Sequence, residues 1–238
     1  MKKLTALLLT TAAVLSLAAC SGGGETAEGD SGAAVSGAES GGSEASGERQ
    51  IKDEIIFAQS SDLTTMEPNI GTQERAYSLT NHMYDTLLVF DSEMNMSNSL
   101  AKSYEWLDDV TLQLNLQEGV KFHNGDPLSA QDVIFTFQKR ADRGSAFANY
   151  IDVAAMEAPD DYTVIVPFTS PHPSFIYQLT DPAFGIVPKD YYESVGEEGF
   201  AKDPIGSGPY KLKEYVTGDY YTLERFDDYW GEKAKTKY

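Results

Sequence analysis

Residues 110–116 read Val-Thr-Leu-Gln-Leu-Asn-Leu, a strict two-residue alternation that puts every apolar side chain on one side. Successive side chains of a strand point to opposite faces, so this segment belongs in a sheet with one face on a core and the other toward water. Such a sheet needs a second layer over its apolar face. Residues 129–141 supply one, because Val133, Phe137 and Ala141 recur at helical spacing. Ser129-Ala130-Gln131-Asp132 has the form of a capping box ahead of them. There Ser129 can accept from the N–H three residues on, and Asp132 suits the positive helix end.

Other segments fall into the same alternation of strands and helices. Ile55-Ile56-Phe57-Ala58 predicts a short buried strand, and Leu79, Met83 and Leu87 predict a helix starting near Gln73. Residues 91–98 read as a polar turn, and 119–129 as a loop that reverses at Asn124-Gly125. Tyr162 to Val166 predicts a strand. Pro171 to Leu179 predicts a short helix with Phe175, Ile176 and Leu179 inward. Tyr210–Val216 and Tyr220–Phe226 flank Thr217-Gly218-Asp219 as a hairpin. The fold class is α/β, a mixed sheet with packed helices.

The first 50 residues stand apart from this pattern. Lys2 and Lys3 precede an apolar run, Leu4 to Leu17, and then Leu17-Ala18-Ala19-Cys20. Charge, apolar core and small residues are the layout of a secretory signal, and the run is too short for a stable membrane span. Residues 21–50 hold nine Gly, six Ser, five Ala and six acids, with Val35 as the one branched apolar residue. That composition cannot bury enough surface to offset ordering entropy, so a tether is expected there. As a Gly/Ser-rich coil it would span roughly 30 Å. The expected division is therefore 1–20 signal peptide, 21–50 disordered tether and 51–238 folded.

Charge and composition exclude several classes. Lys and Arg number 18 against 37 Asp and Glu, a net charge of −19. Nucleic acid is not expected as a partner, because binding it requires neutralising phosphates. A single Cys rules out an intrachain disulfide and a Cys-rich zinc site. The three His, His82, His123 and His172, have no metal-spaced neighbours. No metal, cofactor or catalytic residue is expected. Gly206-Ser207-Gly208 lacks the Gly-x-Ser-x-Gly form of a nucleophile elbow, which disfavours a secreted hydrolase. His123 reads as a loop-fixing hydrogen-bond partner.

Three stretches carry a resemblance. They are Leu116 to Val133 with its His123-Asn124-Gly125-Asp126-Pro127 loop, Pro204-Ile205-Gly206-Ser207-Gly208-Pro209-Tyr210, and Leu223 to Gly231 ending in Tyr229-Trp230-Gly231. Together they resemble family 5 of the bacterial extracytoplasmic solute-binding proteins, the oligopeptide, dipeptide and nickel group of ABC transporters. Leu17-Ala18-Ala19-Cys20 resembles the lipobox of bacterial lipoproteins, which implies lipidation of Cys20.

The family resemblance implies a periplasmic-binding-protein-like II fold. It also implies that this chain is an N-terminal lobe plus a small extra subdomain, with the second lobe missing. Residues 51–66 and 180–238 would form lobe I, and 67–179 the inserted subdomain. The implied function is capture of peptides, or a related small solute, outside the cell membrane and delivery to ABC permease subunits, with a lipid anchor in the membrane. The positions matching the family's ligand-facing motifs are Gly71, Thr72, Gln73, Glu74, Phe147 and Asp181. A surface adhesin or structural lipoprotein is the alternative outside transport.

Overall fold

The structure, a computed structural model, describes residues 53–56, 58, 65–68 and 74–237, and only the backbone of Glu74 and Arg75. Cys20 and the segments expected as signal peptide and tether lie outside the described residues. So do Gly71, Thr72 and Gln73.

The alternating segment becomes β4 (Thr111–Leu116), the centre of a four-stranded antiparallel sheet. β3 (Ala101–Asp108) lies on one side of it, and β6 (Thr163–Pro167) with β5 (Glu157–Asp160) on the other. Leu112 pairs with Val166 and Leu114 with Val164, so the apolar residues of both strands share one face. All four are fully buried. On the other face Asn115 Nδ2 donates to Ser103 Oγ at 3.0 Å, a polar cross-strand contact.

α2 (Ala130–Asp142) covers the apolar face with Val133 and Phe137. Its start carries the expected Ser129–Asp132 capping box. The Ser129 hydroxyl donates to Asp132 Oδ2 at 2.9 Å, and the same oxygen accepts the Ser129 N–H at 2.8 Å. The other carboxylate oxygen accepts the Lys189 N–H at 2.8 Å, so the capping acid also fixes the start of a later helix.

Beyond Phe137 the core is aromatic. Phe137, Phe147, Phe175 and Phe184 pack with ring centroids between 5.3 and 6.5 Å apart. Most of these contacts are edge-on or tilted, the arrangement that aromatic quadrupoles favour. Phe175 opens the short α3 (Phe175–Gln178), as the sequence predicts, with Leu179 fully buried after it.

A second apolar cluster is built from α1 (Glu74–Met83) and α4 (Lys189–Lys202). It joins Leu79, Met83 and Tyr84 to Met66, Val187, Tyr192 and Phe200. The hairpin of β7 (Tyr210–Val216) and β8 (Tyr220–Arg225) packs against it through Leu212, Tyr215, Tyr221 and Leu223. α4 was not legible in the sequence, because only Tyr192 and Phe200 are buried along it and Gly196 breaks it at φ +70°. A second hairpin, β1 (Leu88–Phe90) with β2 (Met96–Asn98), occupies the stretch expected as a polar turn.

Two expectations are corrected. Ile55 and Ile56 are 54% and 84% exposed and have no strand assignment. An apolar run becomes a buried strand only where a sheet offers a ladder, and among the described residues no strand pairs with this one. Leu87 lies past the end of α1, in the extended chain that leads into β1, and its side chain joins the sheet core instead.

The Asn124-Gly125 reversal is as expected. Lys121 bridges Pro127 across it, and Gly125 sits at φ +92°. Nothing crowds that position, so the backbone conformation alone demands glycine. Gly125→Val should cost about 1–3 kcal/mol, the range for a strained backbone position. Urea denaturation checks this, and a midpoint equal to the parent's would show that the turn tolerates a β-branched residue.

Candidate functional site

The three stretches that carry the resemblance meet at one place, the C-terminal end of α1. The Gly208 N–H donates to Met83 O at 2.9 Å and satisfies one of the carbonyls a helix end leaves open. A Cβ on Gly206 would lie 2.0 Å from Met83 O, and one on Gly208 would lie 2.6 Å from His82 O. Only glycine permits this approach, as the Gly206-Ser207-Gly208 motif predicts.

His123 grips the same turn from the loop ahead of α2. Its N–H donates to Gly206 O at 2.8 Å, and the Gly206 N–H donates to His123 Nδ1 at 3.2 Å. With Nδ1 accepting, the ring proton sits on Nε2, which donates to Gly208 O at 3.0 Å. Burial disfavours the imidazolium. The bond to Gly208 opposes that, the charge of Lys211 adds to it, and the ring's pKa falls from 6.5 to about 4. The loop-fixing role expected for His123 is therefore what the geometry gives.

Asp85 holds the turn from the other side. Its Oδ2 accepts from Ser207 Oγ at 3.0 Å and from Trp230 Nε1 at 2.8 Å, and its Oδ1 accepts from Tyr229 OH at 3.0 Å. Ser207 is fully buried and donates its hydroxyl to a carboxylate, while both nitrogens of His123 are engaged by backbone. The arrangement has no serine–imidazole contact and is a structural tie. Asp85 was not singled out from sequence. The available signal was an acid set in the apolar run Met83-Tyr84-Asp85-Thr86-Leu87-Leu88.

The residues expected to face a ligand are placed as follows. Glu74 opens α1, and its side chain is outside the described residues, as are Gly71, Thr72 and Gln73. Asp181 caps a 3₁₀ turn, Pro182–Phe184, by accepting the Ala183 N–H at 2.9 Å. Phe147, expected to face a ligand, is instead 1% exposed, because its ring packs on Phe137, Phe175 and Phe184 in the aromatic core.

Arg140 connects Asp181 and Phe147. Its guanidinium lies 4.0 Å from the Phe184 ring centre and 5.8 Å from that of Phe147, and it donates to Ala183 O at 2.5 Å. Sequence reading gave Arg140 no role, because a cation near a helix end reads as a solvated residue.

A buried ion pair lies just ahead of the stretch 69–73. Glu67, 1% exposed, accepts from Arg143 Nη1 at 2.5 Å and from Tyr192 OH at 3.1 Å. Arg143 Nη2 donates to Tyr192 OH at 3.1 Å and lies 3.4 Å from Glu197. The pair ties the chain entering α1 to the end of α2 and to α4. Among the described residues no group of three or more His, Cys, Asp or Glu could hold a metal, and no helix is long and apolar enough to cross a membrane.

Comparison with known proteins places this arrangement. Residues 95–238 match the family model of bacterial extracellular solute-binding proteins, family 5 Middle. The chain is 31% identical over 182 residues to the glutathione-binding protein GsiB of Escherichia coli O1:K1 / APEC, covering 74% of this chain and 35% of that protein. The structure of DppA, an ABC transporter-associated periplasmic binding protein from Helicobacter pylori in complex with the peptide STSA, is similar with TM-score 0.68 and 27% identity, covering 74% of this chain and 40% of that one. MoaA of A. tumefaciens R10, in complex with mannopinic acid, is similar with TM-score 0.69 and 27% identity, covering 75% and 38%. The chain thus spans 35% of the length of its curated relative.

The histidine gives a pH-dependent outcome. A pKa held near 4 in the fold and 6.5 in the unfolded chain means that only the unfolded state takes up a proton between those values. The contribution of neutral His123 is complete above pH 6.5 and lost as pH falls toward 4. The stability gap between the parent and His123→Gln should therefore shrink by up to about 3 kcal/mol from pH 7 to pH 4. Urea titrations of both proteins at each pH measure the gap, and a constant gap would show that the ring is protonated alike in both states.

Proposed function

The chain belongs to the bacterial extracellular solute-binding proteins, family 5, and from that membership we propose that it serves as the substrate-binding component of an ABC importer. It captures peptides, or a related small solute, outside the cell membrane and delivers them to permease subunits. The observation that carries this reading is the family match over residues 95–238, together with the likeness of fold to DppA. GsiB is named for glutathione, and DppA was solved with a tetrapeptide, which supports a peptide as the solute. MoaA was solved with mannopinic acid, so the frame also accommodates other chemistry.

A peptide bound by such a protein would lie extended and pair its main chain with protein backbone, a mode that tolerates varied side chains. In this reading Gly71, Thr72, Gln73 and Glu74, ahead of α1, and Asp181, at the turn fixed by Arg140, face the solute. Phe147 supports that turn from below, through Phe184. Residues 51–66 and 180–238, with α4 and the β7–β8 hairpin, would form lobe I, and 67–179, with α1 and the four-stranded sheet, the inserted subdomain. Residues 1–19 would be removed, leaving Cys20 as the first residue. Cys20 would carry the lipid, and 21–50 would hold the domain clear of the bilayer. Two or more acyl chains anchor stably at ~0.8 kcal/mol per buried CH₂.

Two experiments test this. Deleting the gene should abolish or strongly reduce uptake of a labelled di-, tri- or tetrapeptide by the cell. Undiminished uptake of all three, with glutathione included among them, overturns peptide import. Separately, Cys20→Ala should lose incorporation of a fatty-acid analogue and leave the membrane fraction. Continued labelling of that variant would place the anchor elsewhere.

A further inference from the structure

Arg140 and Arg143 lie close together at the end of α2 and meet different surroundings. Arg143 pairs with Glu67 and lies 3.4 Å from Glu197. Arg140 is half-buried too, yet among the described residues no carboxylate lies within ion-pair distance of it. Burial disfavours its charge, and Asp181, Tyr77 and Tyr150 oppose that only from farther away. Asp181 is itself occupied at Oδ1 by the Ala183 N–H. A cation taken part-way out of water without an anion in contact is costly, and an anion brought to it offsets that cost.

The guanidinium is held in place before any ligand arrives. Nη1 donates to Ala183 O, and the Phe184 ring centre lies 4.0 Å from the guanidinium. Thr136 and Asp132, one and two turns earlier on α2, accept the N–H groups of Val187 and Lys189. One face of the helix thus grips residues 183–189 at three points, with Arg140 as the last of them. A donor fixed in advance loses little freedom on binding.

The Nε–Nη2 edge is left open. Nε is buried and has no hydrogen-bond partner, and Nη2 reaches Ser145 Oγ only at 3.3 Å, beyond the usual range. Ser145 stands between exposed Gly144 and Ala146, so that edge borders the surface. A carboxylate engages such an edge with two parallel bonds, a match that an amide, with one oxygen, cannot make.

The geometry points to Arg140 as the group that takes a carboxylate of the solute, side-on through Nε and Nη2, in place of the long contact to Ser145. This rests on the importer reading, in which the neighbouring Asp181 turn faces the solute. It narrows the solute to molecules that carry a free carboxylate.

The purified full chain should be titrated with trialanine, whose one carboxylate is C-terminal, and with trialanine amide. The amide carries the greater positive charge, so general attraction to a chain of net charge −19 favours it. A preference for the acid therefore has to come from a local contact. Calorimetry should give an affinity about tenfold or more higher for the acid. The Arg140 Nε–H resonance should shift with the acid and stay in place with the amide. Arg140→Gln should bring the two affinities together. Equal affinities in the parent, no binding of either peptide, or a preference that persists in Arg140→Gln overturns the proposal. An Nε–H resonance that the acid leaves unmoved also overturns it, and that measurement needs no variant to fold. Neither measurement involves transport. Undiminished uptake after gene deletion would overturn peptide import and leave the binding result standing, so the two failures are distinguishable.

Discussion

Everything around α1 depends on a backbone-to-backbone approach. The carbonyls of His82 and Met83 lie so near Gly206 and Gly208 that no Cβ fits between them. A helix end leaves its last carbonyls open, and burial without partners would cost roughly 1–3 kcal/mol for each. The Gly208 N–H answers one of them directly. The approach then fixes where Ser207 points, and Ser207 in turn sets the position of Asp85 and of the Tyr229–Trp230 segment. A packing constraint at two residues thus organises polar contacts from four parts of the chain.

The two ionisable groups flanking this turn respond to burial in opposite ways. Burial disfavours the charged form of each, so the imidazole pKa falls and the carboxylate pKa rises. For Asp85, with a folded pKa near 6 against 3.8, the stabilising contribution is present below 3.8 and lost as pH rises through 6. For His123 the loss comes as pH falls from 6.5 toward 4. Over most of that interval the two slopes oppose each other. The turn is therefore held with a flatter pH response than either group alone would give, although each protonation event still changes which bonds are made.

Strong periodicity made much of the fold legible. Thr111 to Leu116, the helix carrying Val133 and Phe137, and the hairpin on either side of Gly218 are where the sequence puts them, because local pattern and tertiary burial agree there. β3 is harder to read: it is an edge strand whose Tyr104 and Trp106 are only partly buried. α4 is harder still, with two buried residues and a glycine break. The candidate site was legible in part. Glycine chemistry pointed to the 206–208 turn, and a loop histidine pointed to its partner. Asp85 and Arg140 were not legible, since a buried charged residue is defined by neighbours that only the folded chain supplies.

The motif residues also explain why family is easier to read than solute. Both nitrogens of His123 are used on backbone, the Ser207 hydroxyl is used on Asp85, and Asp85 is engaged by three donors. A buried group already engaged within the protein in this way is poorly placed to recognise a ligand. These residues shape the frame, and any chain keeping them keeps the frame whatever it binds. Specificity must therefore reside in side chains that the frame leaves unfilled, and such side chains obey no common spacing rule. The same physical fact that ties the motifs to the frame, their engagement with one another and with Asp85, makes them poor candidates for choosing the solute.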